Sequence, residues 1–594
     1  MKNAAIVIVT SIMLLTIVSC EDMMGDFLEK APGVDVTEDT IFSSRSQVEM
    51  FLASIYEYGV HSNLGLGSPD NGAPAIANSA GTIDAGATDE AEACANWYDP
   101  QKWNNASVSP DNTDDPRFSH RFTAIRKVTV MLDRVDEVPD ITKEYANQLK
   151  AESKFIRALN YFEMFKRYGG VPIIDHRLQL DENLKIPRSS VEDVVNFIVK
   201  DCDEAIPDLP VNQLGALRGR ATRGAALALK ARTLLYAASD LFNTDKPYLD
   251  FGTNNKLICY GNKDKERWKL AADAAKKVLD WAKEANCYLI TDQGLDGNYK
   301  YSWQTYDNSE IIFAEKSSDA MGKYTWPWSA ISPPTVYPGN AGQSGVTVTL
   351  NLVSKYEDRL GNKVDWNGGN DLQAKMASLD YRFSQTVVGN LMRWNSEFPK
   401  LQLWQDSGNG PGADVNTCYG GFWLHKLYPE EISESVWRKV PNSTLYQLNE
   451  AYLNYAEALN EYKDERTVRE EALNYVNKIR TRAGIRTYTF GNSDAQNIHV
   501  DDNQEAVRKI IRAERRVELC GEGVRYDDLR RWKEAEKKLN GDMYGMNYSG
   551  KDAESFYVRT PYQKRVYNPA FYWFPIHQSE IDKNENLRQL PFWK

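Results

Sequence analysis

Hydrophobic positions recur at helical spacing in two separate blocks of the chain. In the first block, Ala151, Phe155 and Ala158 follow at steps of four and three, which places them on one face of a helix. The pattern predicts helices at 148–168, 190–206, 222–242 and 268–283, then at 445–462, 468–483 and 503–520. Two helical blocks, at about 120–285 and 445–535, therefore indicate a mostly α fold.

The third of these predicted helices is rich in small side chains. Gly224, Ala225 and Ala228 lie within it. Small residues let helix backbones approach closely, as they do in stacked helix–turn–helix repeats of the tetratricopeptide type. No strict period of about 34 residues is visible, so the spacing of the helices indicates a tetratricopeptide-like scaffold without regular repeats.

Two long segments, 59–118 and 288–440, interrupt the helical pattern. They are rich in Gly, Asn, Asp and Pro and in aromatic residues, and they contain short strand-like runs such as 310–314. Loops this long in a compact domain are usually functional or disordered, and the aromatic content argues against disorder. We expect large, irregular, aromatic-rich insertions with a few short strands, carried by a single domain over residues 46–594.

The amino-terminal segment reads as a signal peptide over residues 1–19. An apolar run from Ala4 to Val18 follows Lys2 and is too short for a comfortable bilayer span. It ends at Ser19-Cys20, and a small residue directly before a lone cysteine resembles the bacterial lipobox. We expect an acyl-modified Cys20 followed by a tether and entry segment over 20–45. The alternative is an ordinary signal peptide with an incidental cysteine.

Composition excludes some functions and leaves others open. The net charge of −12 argues against a nucleic-acid partner. Six cysteines besides Cys20 are scattered without a C-x-x-C motif, so neither a zinc site nor a disulfide framework is indicated, and any pairing stays open. The acidic run 111–115 lacks the EF-hand glycine and glutamate, which favours a solvated loop over a calcium site. We expect no cofactor and no metal.

A charged run from Glu514 to Arg531 resembles catalytic machinery at first sight. Glu514 and Glu518 are four residues apart and share one helix face. Glycosidase carboxylates need a defined separation across a cleft, which this spacing does not supply. A structural network of arginine–carboxylate ion pairs is the favoured interpretation, and we assign no catalytic residue.

Aromatic residues in the insertions are the candidates for ligand contact. An exposed Trp or Tyr ring offers apolar contact to the flat C–H face of a sugar, while neighbouring groups bond its hydroxyls. The alternative is that the rings fix irregular loops to the helices. The candidates for stacking and polar contact are Trp97, Tyr98, Trp103, Asn104, Tyr324, Trp326, Trp328 and Tyr337. Trp366 and Trp394 are weaker candidates, and Trp423 is expected in the core.

Several motifs together resemble the SusD/RagB family of nutrient-binding lipoproteins. They are AESKFIRA at 151–158, RYGGVP at 167–172, AYLNYAEA at 451–458, VNKIRTRAG at 476–484, ERRVEL at 514–519 and EGVRYDDLRRW at 522–532. They occur in the family's order across nearly the whole chain. Gln447 and Glu585 depart from the family pattern at scaffold positions.

The resemblance implies a role that the residue pattern alone does not give. Members of this family cap a TonB-dependent transporter of SusC type in the outer membrane and deliver oligosaccharides or peptides to it. Acidic residues at 21–26 also resemble an export tag, which indicates a lipid-anchored position facing the cell exterior. The leading hypothesis is a non-enzymatic glycan-binding lipoprotein. A peptide- or glycopeptide-binding member of the family is the alternative, and a surface glycoside hydrolase is less favoured.

Overall fold

A computed structural model describes most of the chain. The described residues are 37–61, 83–93, 99–113, 117–179, 181–316, 346–366, 372–405, 407–409, 420–426, 442–590 and 592–593. Cys20 and the predicted signal peptide lie outside them.

The α-helices of the described residues are, in chain order, α1 (Glu38–Ile41), α2 (Arg45–Gly59), α3 (Ile83–Gly86), α4 (Asp99–Asn104), α5 (Arg117–Arg134), α6 (Lys143–Tyr168), α7 (Val191–Ala205), α8 (Arg223–Ala238), α9 (Glu266–Glu284), α10 (Asn298–Gln304), α11 (Leu350–Val353), α12 (Leu372–Ser378), α13 (Tyr381–Thr386), α14 (Leu448–Tyr462), α15 (Arg466–Arg482), α16 (Gln504–Glu518), α17 (Arg525–Arg531), α18 (Ala535–Leu539), α19 (Ala553–Phe556) and α20 (Gln578–Lys583).

The strands are shorter than the main helices. They are β1 (Ala91–Ala93), β2 (Ile311–Glu315), β3 (Val346–Val348), β4 (Val387–Gly389), β5 (Phe422–Leu424), β6 (Ser443–Gln447), β7 (Thr487–Thr489), β8 (Asn497–His499), β9 (Gly541–Met546) and β10 (Arg559–Arg565). Short 3-10 turns occur at Val135–Glu137, Gly215–Leu217, Gly252–Leu257, Pro569–Tyr572 and Glu585–Leu587.

The seven helices predicted from hydrophobic spacing are α6 to α9 and α14 to α16, so the mostly α fold class is confirmed. One boundary differs for a tertiary reason. Residues 445–447 were expected to be helical, but they belong to β6, which pairs antiparallel with β2. Because β2 satisfies the backbone hydrogen bonds of this segment, α14 begins only at Leu448.

Local signals fix where the scaffold helices begin and end. Ser190 and Asp193 form a capping box at the start of α7. Thr142 caps α6 by accepting a hydrogen bond from the backbone N–H of Tyr145. α6 ends at Gly169, which has a φ of 77° and would place a Cβ 2.3 Å from the carbonyl oxygen of Leu257. Both the positive φ and the steric clash therefore exclude a residue with a side chain at this position.

The scaffold helices pack against one another in an order that follows the chain. α5 packs on α6, α6 on α7, α7 on α8 and α8 on α9, and α9 then packs on α14 of the second block. At the α8–α9 contact, a Cβ on Gly224 would lie 2.3 Å from Cζ2 of Trp281. The small residue thus permits the close helix approach that the sequence indicated.

The two insertions meet in a sheet of their own. β1 comes from the first insertion and β3, β4 and β5 come from the second, and they form an antiparallel sheet in the order β1-β3-β5-β4. A separate hydrophobic cluster that includes Trp394, Phe422 and Trp423 packs around it. The few short strands expected in the insertions are therefore confirmed, and pairing between distant segments orders the described parts.

No helix within the described part of the chain is long and apolar enough to span a membrane.

Candidate functional site

Most of the predicted aromatic site residues lie outside the described residues. This group comprises Trp97, Tyr98, Tyr324, Trp326, Trp328 and Tyr337. Their contact with a ligand stays a prediction.

Trp103 on α4 is described, and its ring is only 4% exposed. Its centroid lies 4.5 Å from that of Phe574, 5.0 Å from that of Phe571 and 5.8 Å from that of Tyr526. These contacts fit the alternative interpretation, in which the ring fixes the first insertion to the helical scaffold. They do not fit a ring that presents an open face for sugar stacking.

Asn104 is also buried, and its amide is used within the protein. Its Nδ2 donates to the backbone oxygen of Gly86 at 3.0 Å and to Oε1 of Glu92 at 3.4 Å. Glu92 in turn pairs with Arg565 at 2.5 Å. In this structure the Asn104 side chain therefore binds other parts of the first insertion instead of facing a ligand.

The three other tryptophans that the sequence singled out in the second insertion are buried. Trp394 and Trp423 are each 1% exposed, and the core position expected for Trp423 is confirmed. Trp366 is 6% exposed, and it lines the cavity that is described below.

Glu514 and Glu518 lie in a buried network of ion pairs, so the structural interpretation of this carboxylate pair is confirmed. Arg382 Nη1 contacts Glu514 at 2.5 Å and Glu518 at 3.0 Å. Arg480 pairs with Glu514 at 3.1 Å, and Arg482 pairs with Glu518. The network joins α16 to α15 and to the second insertion. It therefore extends beyond the charged run 514–531 in which the sequence indicated it.

The electrostatics of Glu518 follow from this pairing. Burial acts to raise the pKa of Glu518, but the guanidiniums of Arg482 and Arg382 outweigh it and lower that pKa to about 2. The carboxylate is thus held ionised and immobile among arginines. It does not face its neighbour across an open cleft, as a glycosidase pair does.

A cavity of about 450 Å³ lies where the insertions meet the second helical block, and we call it the insertion cavity. Its described lining residues are Asp89, Leu350, Asn351, Ser354, Lys355, Val364, Asp365, Trp366, Arg516, Lys537, Lys538, Tyr544 and Arg559. Its volume falls within the range typical of small-molecule sites.

Both insertions and the carboxyl-terminal region build the wall of this cavity. Thr349 Oγ1, next to α11, donates to the backbone oxygen of Asp89 at 2.7 Å. Asn351 Oδ1 accepts from the backbone N–H of Tyr544 at 2.9 Å. Arg516 Nη2 donates to the backbone oxygen of Asn351 at 3.2 Å. These bonds hold three regions that are distant in sequence around one space.

Asp89 is the buried carboxylate of this wall and is fully compensated. It pairs with Arg516 at 2.7 Å and with Arg525 at 3.0 Å. Burial opposes ionisation, but the two guanidiniums hold the pKa of Asp89 well below its usual range. Asp89 is therefore occupied by two cations of its own and neutralises little else in the cavity.

Three lysines of the insertion cavity are exposed at its rim. Within the described residues, the side chains of Lys355, Lys537 and Lys538 make no hydrogen bond or ion pair. Arg559 lies with its guanidinium carbon 3.8 Å from the ring centroid of Tyr544. The cavity thus presents cations beside an aromatic ring.

Sequence reasoning missed every residue of this cavity except Trp366. Asp89 and Arg516 are separated by more than 400 positions, and Lys355 lies far from Lys537 and Lys538 in sequence. No local spacing or motif marks such a set. The one sequence feature that pointed to this region was that an insertion precedes the first helical block and another follows it.

Cysteines and possible metal ligands give no further site in the described residues. Cys202, Cys259, Cys287 and Cys520 are free thiols. No group of three or more His, Cys, Asp or Glu side chains is placed to hold a metal ion in this part of the chain. Asp114 and Asp115 of the acidic run lie outside it.

Comparison with known proteins identifies the family. A family model described as the SusD family matches residues 309–593, and one described as starch-binding associating with outer membrane matches residues 26–235. The fold is thus that of a SusD-like protein. The chain belongs to the SusD/RagB family, as its motifs indicated.

Individual relatives agree over almost the whole length. SusD-like protein P25 of Formosa agariphila is 23% identical over 558 residues, which is 89% of each chain. A SusD-like protein of Bacteroides fragilis superimposes with a TM-score of 0.74 at 23% identity, covering 95% of this chain and 100% of that one. A SusD-like carbohydrate-binding protein of the same species gives 0.72 at 20% identity, covering 92% and 100%.

Proposed function

We propose that this chain is a non-enzymatic, surface-exposed lipoprotein that binds oligosaccharide or polysaccharide and delivers it to a TonB-dependent transporter of SusC type. The observation that carries the proposal is membership of the SusD family over both helical blocks. One matching family model is described as starch-binding and one solved relative as carbohydrate-binding, which supports a glycan as the ligand.

The charge and packing of the scaffold support a binding role over catalysis. Glu514 and Glu518 of α16 are held in ion pairs with buried arginines, so they are not positioned to protonate a glycosidic oxygen. The candidate stacking rings remain Trp97, Tyr98, Tyr324, Trp326, Trp328 and Tyr337. Anchoring through an acylated Cys20 would keep the binding surface at the membrane that holds the transporter.

A direct test is to screen the purified chain against panels of glycans and of peptides. The proposal expects saturable binding of at least one glycan and no release of reducing ends. Trp97→Ala and Trp326→Ala should each weaken that binding without lowering the melting temperature. Binding of peptides alone would favour the peptide-binding alternative, and turnover abolished by a single carboxylate substitution would establish a hydrolase instead.

Location and partner need a test in cells. The proposal expects added protease or antibody to reach the protein on intact cells and expects Cys20→Ala to release it from the membrane. A transporter of the TonB-dependent class should co-purify with the anchored chain in mild detergent. Protection of the protein in intact cells would contradict an outward-facing position.

A further inference from the structure

The insertion cavity carries an excess of positive charge in an acidic protein. Its described lining contains five cationic side chains, Lys355, Arg516, Lys537, Lys538 and Arg559, and two carboxylates, Asp89 and Asp365. The whole chain has a net charge of −12. Such a local reversal of sign focuses a positive potential within a concave wall.

The protein's own carboxylates leave most of this charge uncompensated. Asp89 is shared between Arg516 and Arg525, and the latter stands behind the wall. The three rim lysines have no described partner. A solvated lysine is common on any surface, so the informative feature is that three of them converge on a cavity that also contains a buried arginine.

Two buried donors in the same wall also lack an acceptor. Nε of Arg516 and Nε1 of Trp366 are buried and have no hydrogen-bond partner. The side chain of Arg516 is 9% exposed and Trp366 is 6% exposed. Similar donors occur elsewhere in the described residues, so these two show only that this wall keeps N–H groups that the described residues leave without an acceptor.

Burial and neighbouring cations lower the pKa of two cavity residues. Burial, with the nearby charge of Arg525, lowers the pKa of Arg516 to about 10 despite its ion pair with Asp89. Desolvation and the charge of Arg516 lower the pKa of Lys355 below its ordinary value. Burial is the largest cause of both shifts, neighbouring cations add to it, and a bound anion would act in the opposite direction.

We propose that the insertion cavity binds the carboxylate or sulfate group of an acidic polysaccharide. The inference rests on the proposed glycan-binding function and specifies the class of glycan. Lys355, Lys537 and Lys538 supply the charge that meets the anionic group. The partly exposed ring of Tyr544 places aromatic surface beside it, which suits a sugar ring that carries the charge better than an extended acidic peptide.

The test compares two triple variants of the whole purified chain that lose the same charge. In the cavity variant, Lys355, Lys537 and Lys538 are each changed to Gln. In the control variant, the exposed lysines Lys246, Lys256 and Lys277 on the scaffold are changed to Gln, and these also lack a described side-chain partner. All six side chains are exposed, so both variants should keep the parent melting temperature.

Four probes separate the sources of the anionic group. Polygalacturonate offers carboxylates, dextran sulfate offers sulfates, dextran is the neutral glycan, and polyglutamate is the acidic peptide. We expect the parent to bind at least one acidic glycan, the cavity variant to lose about tenfold or more in affinity for it, and the control variant to lose less than about twofold. Raising the salt concentration should weaken the parent's binding and reduce the difference in affinity between the parent and the cavity variant.

Four other binding results would contradict the inference, the proposed function or both. Equal loss in the two variants, or none, would show that net charge and not the cavity acts, and the inference would fail. Binding of neutral glycans alone would leave the proposed function standing and remove the inference. Polyglutamate bound as tightly as the acidic glycans, and lost in the cavity variant, would identify a general polyanion surface. Absence of all glycan binding would overturn both.

Discussion

Two cavities of similar size lie at opposite ends of α16 and differ in how their charges are balanced. The insertion cavity measures about 450 Å³, and a second one of about 390 Å³ lies between the start of α9, the end of α14 and the start of α16. We call the second one the scaffold cavity. Its lining has four cations, Lys263, Lys265, Arg508 and Arg512, and five carboxylates, Asp240, Asp264, Glu461, Glu505 and Glu534.

In the scaffold cavity, the arginines have carboxylate partners. Arg508 pairs with Glu461 at 2.6 Å and also with Glu505, and Arg512 pairs with Glu534 at 2.6 Å. The pKa of Arg508 is accordingly raised, mainly by its hydrogen bond to Glu461. In the insertion cavity, the pKa of Arg516 is lowered. In the scaffold cavity, each arginine of α16 thus has a carboxylate of its own, whereas Arg516 in the insertion cavity shares Asp89 with Arg525.

The largest effect is expected where charges are both matched and fully buried. Glu518→Gln should lower the free energy of unfolding by ~3–5 kcal/mol, because it leaves Arg382 and Arg482 buried beside a neutral group. Thermal or denaturant unfolding measures this loss. The control is Glu470→Gln, which breaks an exposed pair with Arg466 and should cost less than ~0.5 kcal/mol. Equal losses of stability in Glu518→Gln and Glu470→Gln would contradict the larger contribution expected of the buried ion pairs.

Glu90, behind the insertion cavity, should make stability depend on pH. Burial raises its pKa to about 7, so its carboxyl favours folding when protonated; that contribution is complete below about pH 4 and is lost as the pH rises through 7. As the pH rises from 4.5 to 8, the free energy of unfolding of Glu90→Gln should therefore increase by roughly 1–3 kcal/mol relative to that of the parent. Melting temperatures across that range test it, and a difference that does not vary with pH would contradict it.

A smaller loss is expected on removing a matched cation of the scaffold cavity. Arg508→Gln should lower the free energy of unfolding by ~1 kcal/mol, because two hydrogen bonds to Glu461 are lost from a side chain that is 24% exposed. Its neighbour Lys509 is 73% exposed and lies 3.5 Å from Glu505. Lys509→Gln serves as the control and should change stability by less than ~0.3 kcal/mol.

The smallest effect, and one of opposite sign, is expected at the insertion cavity. Lys355→Gln should leave stability unchanged or raise it by up to ~0.5 kcal/mol, because it removes repulsion with Arg516 without breaking a pair. Unfolding at low and high salt concentration measures it, and any gain should vanish at high salt. A clear loss of stability would show that Lys355 has a structural role, and the contrast between the cavities would weaken.

The scaffold was predictable because its signals are local. Hydrophobic spacing located α6 to α9 and α14 to α16, Ser190 marked the start of α7, and the small Gly224 marked a close helix contact. The ion-pair network around Glu514 and Glu518 was also predicted, because arginines and carboxylates occur together in one short run and commonly pair with one another. The family motifs lie in these same elements.

The candidate site was far less predictable. Trp103 and Asn104 carried the right chemistry for a sugar, yet both are buried against other parts of the chain. Which aromatic faces remain open depends on what packs over them, and the sequence around a ring does not state this. The lysines of the insertion cavity carried no motif at all.

The sequence by itself determined the helical scaffold, its two blocks, the places where insertions interrupt it, and the family to which the chain belongs. These depend on spacings of three and four residues, on caps and on short motifs. Only the tertiary structure decided that β1 joins β3, that Asp89 meets Arg516, and that three lysines share one cavity. The physical reason is that packing between distant segments sets the local charge balance and the exposure of each side chain.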